Sequence, residues 1–67
     1  MPEAVIAVLG LGEAGGRIAA DLVAAGASVR GFDPLVPAPA GVFGASSDAD
    51  ACAGADLVIS VNSAHDA

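Results

Sequence analysis

Ala4-Val5-Ile6-Ala7-Val8-Leu9-Gly10-Leu11-Gly12-Glu13-Ala14-Gly15 is the stretch that decides the fold of this chain. Its apolar residues run without alternation, as in a parallel strand covered on both faces. The glycines that follow are spaced Gly10-x-Gly12-x-x-Gly15 and open onto a helical pattern. That strand-turn-helix context is the one in which such a spacing accommodates the pyrophosphate of a dinucleotide. The pattern continues outward through Ala19 and Gly26, and Asp33 closes the next apolar run, Val29-Arg30-Gly31-Phe32.

Each position has a physical task. Gly10 lets the strand turn sharply, Gly12 leaves no side chain where a pyrophosphate approaches the backbone, and Gly15 lets the helix pack close to the sheet. The unpaired N–H groups and positive dipole end of the helix then bind an anion without a lysine. A tight strand-to-helix turn with no ligand would also use glycines, and is the bland alternative. Only Arg17 and Arg30 stand against eight acids, so the chain as a whole repels phosphate and the local backbone must supply the attraction. Glu13 suits the helix dipole but lies near the expected phosphate, so its side chain is expected to point away.

Working outward, Ala4 to Leu9 reads as a central strand and Ala14 to Ala25 as a helix with Ile18, Leu22 and Ala25 at helical spacing. Gly26 falls where a left-handed C-cap is expected. Arg17 and Asp21 are spaced to pair on the solvent face. A second strand, Ser28 to Phe32, ends at Asp33. Pro34, Pro37 and Pro39 then exclude a full crossover helix. Val42 to Ala45 reads as a brief edge strand. Ser47 and Asp50 are spaced as a capping box for a helix of under two turns that stops at Gly54. Leu57 to Val61 reads as another buried parallel strand. Right-handed crossovers give the strand order 3-2-1-4, which is half of a doubly wound α/β sheet.

With 67 residues the chain is expected to bury only about 60% of the surface its unfolded form exposes, which makes stability marginal. The fourth strand would carry an unpaired edge, an aggregation hazard. Residues 1–67 are therefore expected to be a partial dinucleotide-binding domain, a fragment or truncated product. Hydrophobic residues make up 55% of the chain, with two Phe and no Tyr or Trp, so the core is built from Val, Ile, Leu and Ala. A net charge of −6 argues against nucleic acid and against an anionic membrane surface. Met1-Pro2-Glu3 lacks a secretory n-region and no apolar run spans a bilayer, so the cytoplasm is the expected location. Cys52 is single, lies among alanines with no basic neighbour, and is expected to be a buried small apolar residue.

The string Ile6 to Gly15, together with Gly31-Phe32-Asp33-Pro34 and Ala53-Gly54-Ala55-Asp56-Leu57-Val58-Ile59-Ser60, resembles the N-terminal Rossmann domain of the 6-phosphogluconate and β-hydroxyacid dehydrogenase family. The resemblance covers nearly the whole chain. The glycine motif is shared with many Rossmann enzymes, whereas the short third strand, the short helix and Gly-Ala-Asp before the fourth strand are more particular. What the resemblance implies is oxidation of a hydroxy acid by NAD or NADP, with a catalytic lysine on a downstream helix. This chain has no lysine, so catalytic residues cannot be placed on it. The resemblance carries cofactor binding onto Gly10, Leu11, Gly12, Glu13, Ala14, Gly15 and Asp33, and backbone contacts to the cofactor ribose onto Val61 and Asn62. A full-length parent is expected to be a homo-oligomer acting on a small hydroxy acid.

FAD-binding enzymes use the same glycine turn and acidic strand end, and a non-catalytic NAD-sensing module would share both. An early fourth strand after a short third strand and helix favours nicotinamide over flavin. S-adenosylmethionine enzymes show a more compact glycine spacing. Asp33 favours NAD over NADP, because a carboxylate accepts hydrogen bonds from ribose hydroxyls and repels a 2′-phosphate. Arg30, the nearest base, lies three residues back along the strand. Asp33 as a plain turn former before Pro34 is the alternative. His65 and Asp66 are adjacent in sequence and would point apart, so His65 reads as a solvated loop residue. No cluster has metal-ligand spacing, and no serine has a nucleophile-elbow context.

Overall fold

The computed structural model describes residues 4–61 and builds them as β1 (Val5–Leu9), α1 (Glu13–Ala24), β2 (Ser28–Phe32), β3 (Phe43–Gly44), α2 (Asp48–Cys52) and β4 (Leu57–Ser60). All four strands are parallel, in the expected order β3-β2-β1-β4. β1 lies inside the sheet, with Val5 in register with Ser28 on one side and Ile6 with Leu57 on the other. Ile6, Ala7 and Val8 are all buried, as the uninterrupted apolar run requires.

Side chains alternate across the sheet, and the two faces are covered differently. Ile6, Val8 and Val29 join Leu11, Ala19 of α1 and Val42 in the main core, with Leu22 and Val23 packed against it. On the other face Ala7 and Ala51 of α2 are fully buried. There Arg30 reaches α2, donating from Nη2 to the Asp50 carbonyl at 2.8 Å and from Nε to the Ala51 carbonyl at 3.3 Å. Its guanidinium also lies 4.6 Å from the centre of the Phe43 ring. One arginine thus ties β2, β3 and α2 together.

The helix ends follow their sequence signals. Gly26 takes φ +95°, with its N–H on the Val23 carbonyl and the Ala27 N–H on the Leu22 carbonyl, both at 3.0 Å. This is the Schellman arrangement, which glycine adopts without strain. For α2, Ser47 Oγ accepts from the Asp50 N–H at 3.0 Å. The expected reciprocal bond shifts by one residue, because the Asp50 carboxylate accepts from the Ser46 N–H at 2.9 Å. Gly54 ends the element at φ +74°.

Four expectations need correcting. Ala25 is the C-cap of α1 and is exposed. The helix instead makes its closest approach through the buried Gly15 and Ala19, because small residues allow it to lie near the sheet. Arg17 and Asp21 form no ion pair; among the described residues the one ion pair joins Arg30 and Asp50. Cys52 is only half-buried, since Ala51 takes the position facing the sheet. Finally, β4 ends at Ser60 and is not buried, with Leu57 54% and Val58 45% exposed. Both helices pack chiefly over β1 and β2, so that of the apolar residues of β4 only Ile59 packs against the core while Leu57 and Val58 stay exposed. Among the described residues no helix is long and apolar enough to cross a membrane.

Candidate functional site

At the carboxyl end of β1 the chain turns into α1 through three glycines whose reasons for being glycine differ. Gly10 takes φ +95°, a conformation that side chains resist, and its N–H donates to the Phe32 carbonyl at 2.8 Å. Gly15 is required by packing: a Cβ there would lie on the Gly10 carbonyl oxygen, 1.7 Å away. Gly12 has neither reason. Its φ is −66°, and a Cβ built on it meets nothing within 4 Å. The fold itself would accept a side chain at Gly12, whereas Gly10 and Gly15 are required by the turn and by packing.

Gly12 is also the N-cap of α1 and supplies no side-chain cap. The Gly16 N–H donates to the Gly12 carbonyl at 2.7 Å. The N–H groups ahead of it, in the first turn from Glu13 through Ala14 to Gly15, are those a helix leaves without an intrahelical acceptor. Ser47 meets the same need at α2, where α1 has an open surface. Glu13 and Ala14 are exposed. The geometry thus presents uncapped backbone donors, the positive end of a 12-residue helix and a space without side chains.

Leu11 contributes position. Its side chain is buried in the core at 4% exposure, fixing the loop between the two flanking glycines. Gly31 makes room for it: a Cβ on Gly31 would come 3.0 Å from both Leu11 and Val42 side chains. Sequence reasoning missed this role of Gly31. The available signal was a glycine inside a strand, which marks close approach by another group.

Asp33, at the end of β2, is brought against this loop. One carboxylate oxygen accepts from the Leu11 N–H at 2.8 Å, and the other from Leu35 and Val36 N–H at 2.8 and 3.1 Å. Asp33 therefore does form the turn before Pro34, and also locks the glycine loop to β2. The Leu35 N–H, then that of Leu11, hold its carboxyl below the usual carboxylate range, against the opposing effect of partial burial. A fixed negative charge thus stands at the β2 end of the site.

Val61 completes the other side. Its N–H donates to the Leu9 carbonyl at 2.7 Å, and its Cγ2 lies 3.6 Å from a Cβ placed on Gly15. The carboxyl ends of β1, β2 and β4 thus meet around the start of α1, so Gly10 to Gly15, Asp33 and Val61 share one edge of the sheet. Asn62, His65 and Asp66 lie outside the described residues. Arg30 does not reach this edge as a phosphate partner, since its guanidinium is committed to α2. Compared with family models, curated proteins and solved structures, the chain matches none.

Proposed function

We propose that this chain is the dinucleotide-binding portion of an NAD(P)-dependent oxidoreductase of the β-hydroxyacid or 6-phosphogluconate dehydrogenase type. The observation that carries the reading is Gly12, a glycine that neither backbone conformation nor packing requires, at the uncapped start of α1. A pyrophosphate fits there because it needs backbone donors and the absence of a Cβ, and both are present. The N–H groups of Glu13, Ala14 and Gly15 would hold the phosphates. Asp33 would face the adenosine ribose and Val61, with Asn62, the nicotinamide-side ribose.

A bound nicotinamide would supply a hydride acceptor for the hydroxyl-bearing carbon of a small hydroxy acid. The residues of this chain bind and orient; none is assigned to proton transfer. Asp33 stays ionised and already accepts three backbone N–H bonds, so its one remaining lone pair, on the oxygen that also accepts from the Leu11 N–H, suits a ribose hydroxyl, and its charge opposes a 2′-phosphate. NAD is the preferred form, by roughly tenfold or more if one charge-assisted hydrogen bond separates the two.

Calorimetric titration with NAD, NADP and FAD tests this in the wild type and in Gly12→Val. The expected outcome is NAD binding that is abolished in a variant whose far-ultraviolet circular dichroism is unchanged. Equal NAD affinity in folded Gly12→Val would mean that the phosphates lie elsewhere. Tighter FAD than NAD binding would replace the nicotinamide reading with a flavin one.

A further inference from the structure

Three consecutive residues at the end of β2 hold the turn that leads into α1. The Phe32 carbonyl accepts from the Gly10 N–H at 2.8 Å, and a carboxylate oxygen of Asp33 accepts from the Leu11 N–H, also at 2.8 Å. Gly31 makes the third attachment by having no side chain. It is in register with Val8, and so belongs to the face of the sheet on which Val8 packs with α1. On that face a Cβ at Gly31 would stand 3.0 and 3.1 Å from the two δ-methyls of Leu11 and 3.0 Å from Cγ1 of Val42. Leu11 thus meets the end of β2 twice, with its side chain over Gly31 and its N–H on Asp33.

Nothing in the backbone asks for glycine at position 31. Among the described residues Gly10, Gly26, Gly41 and Gly54 take a positive φ, and Gly31 does not. Inside a strand a side chain is otherwise favoured, because glycine gives up more conformational freedom on folding. What the missing side chain leaves is room for Leu11, and the clash that an alanine would make there is of a particular kind. An added methyl at Gly15 meets a backbone carbonyl, whereas one at Gly31 meets the ends of side chains, which can give way. Of its two neighbours Val42 is the stiffer, being β-branched and having its N–H on the Pro39 carbonyl at 3.1 Å. Leu11 stands between Gly10 and Gly12, so a displacement of Leu11 passes into the turn.

We propose that Gly31 and Leu11 form a positioning pair that sets how well the turn from Gly10 to Gly12 receives a pyrophosphate, an inference that rests on the dinucleotide reading of that turn. The pair acts through the backbone. Gly31 lies within β2, and the Leu11 side chain is buried in the core rather than on the open surface ahead of α1. The gap at Gly31 fixes the depth of Leu11, and Leu11 fixes the Gly12 backbone and the N–H groups that open α1. The same seating keeps the Leu11 N–H within bonding distance of Asp33. A ligand held by backbone donors tolerates little misplacement, because hydrogen bonds weaken steeply with distance and angle and the donors cannot reorient as side chains do. A methyl group at Gly31 therefore reaches a site that it does not touch.

Titration of NAD and of ADP-ribose into the whole chain, as wild type, Gly31→Ala, Leu11→Val and the double variant, tests the pair. Gly31→Ala should keep a urea midpoint close to that of wild type and yet bind both ligands roughly tenfold more weakly. Leu11→Val removes the two δ-methyls and leaves a gap over Gly31, so it too should weaken binding. In the double variant the alanine methyl occupies that gap, and affinity should return toward wild type, as for residues whose effects are coupled by contact. Hydrogen exchange without ligand separates the pair from the dinucleotide reading: the Leu11 amide should exchange faster in Gly31→Ala than in wild type, and slow again in the double variant. A wild type that binds neither ligand would remove the dinucleotide reading, and the Leu11 amide would then decide alone whether Gly31 seats the turn. Undiminished affinity in Gly31→Ala, additive losses in the double variant, a Leu11 amide indifferent to Gly31→Ala, or an unfolded Gly31→Ala that Leu11→Val does not restore would each overturn the inference.

Discussion

Gly12 and Gly15 are three residues apart and chemically identical, yet the fold treats them as opposites. An added methyl at Gly15 collides with the Gly10 carbonyl, a backbone atom that cannot swing aside, whereas one at Gly12 enters open space. Gly15→Ala should therefore cost about 1–3 kcal/mol or more, enough to unfold a chain of this size, while Gly12→Ala should stay within about 0.5 kcal/mol of wild type. Urea denaturation of the two variants checks the contrast, and equal losses would mean that the turn is not packed as described. Asp33 acts through charge. Its folded carboxyl titrates below its unfolded value because the Leu35 and Leu11 N–H groups favour the ionised form. The stability it contributes is present above the unfolded carboxylate pKa, about 3.9, and is lost as pH falls through the lower folded value. Asp33→Ala should accordingly be less stable than wild type at neutral pH, with the gap closing on acidification below about pH 4. A gap that stays constant down the acid limb of the denaturation profile would show that the carboxylate is not what locks the loop.

At the level of elements, the two helices begin in opposite ways. α2 is capped by Ser47, so Ser47→Ala should cost about 1 kcal/mol, read as a lower urea midpoint at unchanged slope. No change in midpoint would mean that water satisfies the Asp50 N–H equally well. No such variant exists for α1, whose N-cap is a glycine with no side chain to remove. Local signals made much of this legible in the sequence. The unbroken run Val5 to Leu9, the glycine spacing, Gly26 and Gly54 at positive φ, and three prolines against a crossover helix each act within a few residues. The strand order followed from handedness once the strands were found. What stayed hidden depended on contacts between distant elements. The composition of Leu57 to Ser60 matches a buried strand, and only the placement of both helices over β1 and β2 exposes it. Gly31 yields to Leu11 from twenty residues away, with its place inside a strand as the one local sign, and Asp33 reaches back to the Leu11 N–H with no local signature at all. In the candidate site, the motif named the residues that meet at one end of the sheet, but which of its glycines the fold requires depends on three-dimensional contacts such as that of Gly15 with the Gly10 carbonyl.

For the molecule as a whole, electrostatics and local chemistry pull in opposite directions. Eight acids against two bases give a long-range field that repels any phosphate, and of the two bases Arg30 is spent on α2. On the proposed reading, attraction for a phosphate would come from N–H dipoles at the start of α1, which act over the first turn and are poorly screened at contact distance. These two ranges respond differently to salt. Screening shortens the reach of the −6 field, with a Debye length of about 30 Å at about 0.01 M and about 10 Å at about 0.1 M, but leaves the contact donors nearly untouched. Affinity for the dianionic ADP-ribose should thus hold constant or tighten as salt rises over that range. Sites that hold phosphate through lysine and arginine behave oppositely, losing affinity steeply as counterions compete. Titrations at the two ionic strengths measure the sign directly. A marked weakening with salt would place a cationic side chain on the phosphates and remove the backbone-only account of the site.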